Sequence, residues 1–260
     1  MGYLEIYFSG LLIIVIAMTL LWLVSVFLKN ASIVDPFWGL GFVIAGVFYF
    51  YKTDGLELRK LIVLSLLTIW GLRLSVYLGL RNLGKGEDFR YQQFRKDFGE
   101  KRYWWISFFQ VFLLQGVLLW LISAPLLSAQ FYSGGSDLNF FDYVAITIWI
   151  IGFSFEAGGD FQLARFKSDP NNKEKVLNTG FWKYTRHPNY FGDATVWWAY
   201  GLFSVAAGSY LPLLSSLLMT LLIVKVSGVS LLEKTLKNTK PQYKDYVEKT
   251  SAFFPWFPKK

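Results

Sequence analysis

The chain has 260 residues, 54% of them hydrophobic and 17% charged, with 26 Lys and Arg against 18 Asp and Glu, one histidine and no cysteine. Without cysteine there is no disulfide framework, zinc–thiolate site or cysteine nucleophile, and the apolar content excludes a disordered chain. Charged residues fall below the roughly 25% of soluble domains and the apolar ones come in long blocks, so the sequence reads as an all-α polytopic membrane protein. The net charge of +8 then needs no nucleic acid to explain it.

A hydrocarbon core about 30 Å thick takes roughly 20 apolar residues per helix. Runs of that kind predict seven spans, at 4–28, 36–51, 60–80, 104–128, 140–164, 190–208 and 211–232. The first lacks a basic start, carries Glu5 and has no small-residue cleavage site after it, which makes it a span and not a signal peptide. Lys and Arg number seven in 81–103, six in 165–189 and seven in 234–260, and seven spans put all three segments on one side. By the positive-inside rule the N-terminus is outside and the C-terminus cytoplasmic. Trp22, Tyr103, Trp104, Trp105 and Tyr210 stand at span ends, where amphipathic rings favour the interface. The connection 86–103 mixes Phe, Tyr and basic residues; it reads first as an amphipathic interfacial segment and second as a lid over a site.

Several charges lie within or at the edge of apolar runs: Asp35, Arg73, Glu156, Asp160, Asp193 and Lys225. Each costs at least about 2.5–3.5 kcal/mol in hydrocarbon, so such groups face a protein-lined cavity or one another. Glu156 and Asp160 are four apart and share a helical face. Their spacing suits a hard cation or the hydroxyls of a sugar, and does not choose between them.

The stretch 176–193 is the densest in polar groups. Lys183, Tyr184, Arg186, His187, Asn189 and Tyr190 fall within eight positions, with Pro188 marking a helix start. Cationic donors and unpaired N–H groups at a helix start are what an anionic phosphate or carboxylate requires. No P-loop, G-x-G-x-x-G, G-x-S-x-G or H-E-x-x-H motif is present, so nucleotide binding by a soluble Rossmann domain is excluded.

Residues from about 152 to 258 resemble the C-terminal half of the membrane steroid 5-alpha-reductase family, most closely its bacterial relatives of unassigned function. Three segments carry the resemblance: F-E-x-x-G-D-x-Q-L-x-x-F-K at 155–167, G-F-W-K-Y-T-R-H-P-N-Y-F-G-D at 180–193, and a tail K-P-Q-Y-K-D-Y followed by F-F-P-W. The resemblance implies a cytoplasm-facing cavity for NADPH and no metal. Glu156, Asp160, Lys167, Lys183, Tyr184, Arg186, His187, Asn189, Tyr190 and Tyr246 are its implied cofactor contacts. The single membrane domain, 1–260, would then divide into a substrate-side half, 1–103, and a cofactor-binding half, 104–260.

The first half matches more weakly. Asp35, in S-I-V-D-P-F-W-G, stands where the reductases have a glutamate, and Trp70 where they have a tyrosine, with Arg73 at their following basic position. Indole does not transfer a proton at neutral pH. Tyr77 and Tyr91 are therefore the expected replacements, with Asp35 kept protonated as a donor directly or through them, and Trp38, Trp70 and Arg73 as substrate contacts. The implied reaction is reduction of a carbon–carbon double bond conjugated to a carbonyl in a steroid-like or other lipophilic substrate drawn from the bilayer. R-H-P-N-Y also resembles the isoprenylcysteine and phospholipid methyltransferases, which use S-adenosylmethionine; that alternative would employ Glu233, although those enzymes carry a paired Glu-Glu where this chain has Glu233-Lys234. A non-catalytic lipid-binding or transport protein is the third reading.

Overall fold

The computed structural model describes residues 1–227 and 243–259. All regular structure among them is helical, and the chain divides into two compact units, one formed by 1–138 with 206–209 and the other by 139–205 with 210–260. Five helical stretches are long and apolar enough to cross a membrane: Tyr3–Leu28, Ala31–Lys52, Glu57–Asn82, Glu100–Phe131 and Phe140–Ser168. They coincide with the first five predicted spans, and the protein is an integral membrane protein, all-helical among the described residues. The sixth and seventh predicted spans correspond to Pro188–Ala206, whose first turns hold Asn189 and Asp193, and to Leu213–Val226, which is apolar but shorter. Residues 228–242, with Glu233 and the start of the K-P-Q-Y tail, lie outside the described residues.

In the first unit, α1 (Tyr3–Leu28) buries Ile6, Gly10, Ile14, Met18 and Ser25, a stripe at helical spacing, while Leu4, Phe8, Leu12, Leu20 and Phe27 face outward. That pattern suits a helix with lipid on one side and protein on the other. α2 (Val34–Lys52) and α3 (Glu57–Asn82) form a hairpin that crosses backbone to backbone. A Cβ on Gly39 would lie 2.2 Å from the Gly71 carbonyl oxygen, so only glycine permits the crossing. The short α4 (Phe89–Phe98) leads into α5 (Glu100–Ser107), a π-helical segment Phe108–Leu113, α6 (Leu114–Ile122) and α7 (Ala124–Phe131). Pro125 falls in the first turn of α7, where its missing N–H breaks no helical bond. Trp120 of α6 stacks on Tyr7 at 4.4 Å and donates to the Tyr7 carbonyl at 2.8 Å, tying this helix to α1. The fully buried Arg59 donates to the carbonyls of Ser133 at 2.6 Å and Ala206 at 3.3 Å, which gathers the connections of this unit.

In the second unit, α8 (Phe140–Ser168) starts at a reciprocal cap in which Phe141 N–H reaches Asn139 Oδ1 and Asn139 N–H reaches Asp142 Oδ2. α9 (Pro188–Ala206) crosses it at Gly152 and Gly192. α10 (Leu213–Leu221) packs on α9 through Ser216 Oγ, which donates to the Trp197 carbonyl at 2.8 Å. After the π-helical segment Leu222–Ser227, the described chain resumes at α11 (Tyr243–Lys249) and an irregular tail.

Candidate functional site

Each unit holds one concentrated polar cluster. In the first unit it is built on Asp35, in the opening turn of α2. Tyr91 Oη donates to Asp35 Oδ1 at 2.6 Å, and Arg90 Nη2 pairs with Asp35 Oδ2 at 2.7 Å. Gln115 of α6 donates from Nε2 to the Tyr91 oxygen at 3.4 Å, while its Oε1 accepts the Trp38 indole N–H at 2.5 Å. The chain Trp38–Gln115–Tyr91–Asp35–Arg90 thus joins α2, α4 and α6. Asp88 caps α4, accepting from Arg90 N–H at 3.0 Å and pairing with Arg90 Nε at 2.9 Å.

Electrostatics defines the roles here. Burial, followed by the facing Asp35 charge, pushes the Tyr91 phenol well above its ordinary value, so its O–H stays on at any physiological pH. Burial would raise the Asp88 carboxyl as well, but the side-chain and backbone bonds from Arg90 outweigh it and hold the group below the ordinary carboxylate value. In this arrangement Asp35 accepts from the Tyr91 phenol and the Arg90 guanidinium. Of the two tyrosines expected as donors, Tyr91 reaches Asp35, while Tyr77 lies beneath the Arg73 guanidinium, 5.5 Å from its ring centroid. Trp70 is fully buried against Phe42, 5.9 Å between centroids, where α2 meets α3.

In the second unit the cluster forms where α8 meets the N-terminus of α9. Glu156 and Asp160 are 3% and 5% exposed, and Asn189 Nδ2 donates to Asp160 Oδ1 at 3.0 Å. A Cβ on Gly192 would sit 2.3 Å from the Glu156 nitrogen, so the absence of a side chain there brings α9 against the carboxylate-bearing turn. The 3-10 turn Gly180–Lys183 docks on the same helix: Phe181 N–H bonds Gln162 Oε1 at 3.0 Å and the Trp182 indole bonds the Gly159 carbonyl at 3.0 Å. His187 is buried and stacks on Tyr190 at 5.6 Å. Tyr246 of α11 donates to the Trp182 carbonyl, and burial raises its phenol well above the ordinary range.

Two of the implied cofactor contacts, Arg186 and Tyr184, also bond the tail. Arg186 is buried and donates to the carbonyls of Val247 at 3.0 Å and Thr250 at 2.5 Å, and its N–H meets the Ser251 carbonyl at 2.9 Å; it caps α11 and ties down the tail. Tyr184 receives Trp256 N–H on its carbonyl at 2.8 Å and packs edge-on against Phe257. Lys167 and Lys183, with Arg165, are exposed. A groove of about 460 Å³ is lined by Gln162, Arg165, Asn172 and Thr179 among others. Among the described residues there is no group of three or more His, Cys, Asp or Glu that could hold a metal ion.

The model of the family described as "Protein of unknown function (DUF1295)" matches residues 21–250. The chain belongs to the DUF1295 family. The matched span contains both clusters, from Asp35 to Tyr246, and leaves out most of α1 and the tail beyond Thr250. A fungal relative, the uncharacterized protein C594.04c of Schizosaccharomyces pombe, is 27% identical over 95% of this chain and 78% of its own length. No solved structure matches.

The residues missed from the sequence of this DUF1295 protein are Gln115 and Arg90. A glutamine inside an apolar span is a signal of the same kind as a buried charge. Arg90, beside Tyr91 in G-E-D-F-R-Y, could have been found as the nearest cation to a candidate donor.

Proposed function

We propose that this protein is an NADPH-dependent membrane reductase acting on a carbon–carbon double bond conjugated to a carbonyl in a lipophilic substrate. The carrying observation is the convergence of three separated segments, 155–167, 180–193 and the tail, on one polar cluster through the bonds of Asn189 to Asp160, Trp182 to Gly159 and Tyr246 to Trp182. These are the segments of the reductase resemblance, and DUF1295 is related to that superfamily. The groups present suit the dinucleotide: Glu156 and Asp160 accept from hydroxyls, Asn189 suits a ribose or carboxamide, and Arg165, Lys167 and Lys183 supply charge for phosphates. Seven spans, an outside N-terminus and a cytoplasmic cofactor face complete the proposal; the weight of Lys and Arg in 81–103, 165–189 and 234–260 supports that topology.

When bound, NADPH supplies a hydride to the beta carbon of the substrate. Negative charge then grows on the carbonyl oxygen, and a positioned donor must meet it. Tyr91 is that donor in the proposal: Asp35 and Gln115 hold its oxygen between them, and Arg90 satisfies Asp35 when the phenol turns to the substrate. The high pKa of Tyr91 makes it a hydrogen-bond donor more than a proton source, so the alpha carbon takes its proton from water or a second group.

The test is titration of the detergent-solubilised full chain with NADPH and with S-adenosylmethionine, followed by an enone-lipid screen. Saturable NADPH binding, weakened at least tenfold in Asp160→Asn, is the expected result. Binding of S-adenosylmethionine alone would establish the methyltransferase reading instead, and binding of neither would favour a non-catalytic lipid-binding or transport protein.

A further inference from the structure

The segment 83–102 has two faces. Its inner face carries Arg90, Tyr91 and Arg95 into the first unit, where Asp35 and Asp88 neutralise Arg90 and Glu87 pairs with Arg95 at 2.9 Å. Glu87 also accepts from Ala31 N–H at 2.8 Å, and Arg95 lies 4.7 Å from the Tyr103 ring centroid, so α4 is held firmly by its inner side. The outer face is different. On α4 it carries the exposed Phe89, Gln93, Lys96 and Asp97, and the flanking Leu83, Lys85, Glu100, Lys101 and Arg102 are exposed as well, Leu83 and Phe89 at 77% and 76%.

Four outward cations against two outward carboxylates, interleaved with large apolar side chains, form a surface that is both basic and oily. Its place in the chain identifies the occupant. α4 turns at Gly99, whose φ of 83° favours glycine, directly into the membrane-length stretch Glu100–Phe131. Trp104 and Trp105, both exposed, open that stretch as interfacial tryptophans do. The surface therefore adjoins the end of a membrane-length helical stretch. We infer that the outer face of α4, with the segments that flank it, is a docking surface for the anionic phospholipid headgroups of the surrounding bilayer, with Leu83 and Phe89 inserted below the phosphates and the four cations among them. This inference does not depend on the reductase reading.

The chain has no cysteine, so Gln93→Cys, on the outer face between Phe89 and Lys96, gives one labelling position in the full-length protein. A spin label there is measured in nanodiscs of phosphatidylcholine and of phosphatidylcholine with phosphatidylglycerol, using oxygen and a water-soluble nickel chelate as relaxants. The expected result is a label at headgroup depth in the anionic discs and more water-exposed in the neutral ones. Each cation removed in the series Lys96→Gln, Lys101→Gln and Arg102→Gln should lower the docking equilibrium about fivefold. Raising the salt should act in the same direction on the protein without those three changes, which covers the case of a charge variant that fails to fold. Equal depth in both disc types, or depth unaffected by salt, would overturn the inference, as would a label open to the chelate in both.

Discussion

The closest approach in the second unit makes a sharp test of how the carboxylate cluster is assembled. A Cβ added at Gly192 would lie 2.3 Å from the Glu156 nitrogen and 2.5 Å from the Gly152 carbonyl oxygen, where ordinary contact begins at 3.4 Å. Both neighbours are backbone atoms of α8, so no side chain can turn aside, and α8 and α9 must part by roughly 1 Å. Overpacking of this kind costs about 1–3 kcal/mol. The greater helix propensity of alanine returns at most about 1 kcal/mol. Because both contacts are with backbone, the upper half of that range applies, so Gly192→Ala should lose about 1–2 kcal/mol net, and at about 2–4 °C per kcal/mol its melting temperature in detergent should fall by several degrees. Gly79→Ala is the control: its Cβ would meet nothing within 4 Å, so propensity acts alone and the variant should be as stable as the parent or more so. A Gly192→Ala protein with undiminished melting temperature would refute the backbone-contact account of the α8–α9 crossing. So would equal losses in both variants.

Three further outcomes follow from the contacts. Tyr91→Phe removes the phenol shared by Asp35 and Gln115, and should lower thermal stability by about 1 kcal/mol and turnover on a confirmed enone about 100-fold, with NADPH affinity unchanged. Arg186→Met leaves the carbonyls of Val247 and Thr250 without their donor, so limited proteolysis after Tyr243 should accelerate whether or not NADPH is present. Asp88 has a folded value below its ordinary 3.8; its stabilisation is complete above that value and is lost as pH falls below it through the folded value. Acid unfolding followed by circular dichroism should accordingly show less loss of stability below pH 3.8 in Asp88→Asn than in the parent.

Much of the architecture is readable from apolar run length alone, because a helix in lipid has no other way to satisfy its backbone. The first five spans come out within a few residues of α1, α2, α3, the Glu100–Phe131 stretch and α8. The π-helical segment Phe108–Leu113 is invisible at that level, since it changes the phase of the helix without changing its composition. Its effect reaches the candidate site, because the phase of α6 decides which way Gln115 points. Asp35 and Tyr91 could be singled out as polar residues in apolar company, but their pairing runs over 56 positions of sequence, and nothing in local pattern favours Tyr91 over Tyr77.

Arg186 illustrates the harder problem. A cation beside the only histidine, at a helix start and among tyrosines, has the composition of a phosphate site, and the same composition serves to hold a chain terminus. What decides between them is the location of carbonyl oxygens, which every residue possesses and no residue type announces. Thr250 and Val247, more than sixty positions away, end a helix whose last carbonyls need donors, and Arg186 supplies them from the side. The consequence for ligand binding is specific. In the proposed site the charge for a cofactor phosphate comes from the exposed cations Arg165, Lys167 and Lys183. Exchanging Arg165 and Lys183 for glutamine should therefore weaken NADPH more than NADH without loosening the tail, whereas Arg186→Met should loosen the tail and weaken both dinucleotides alike.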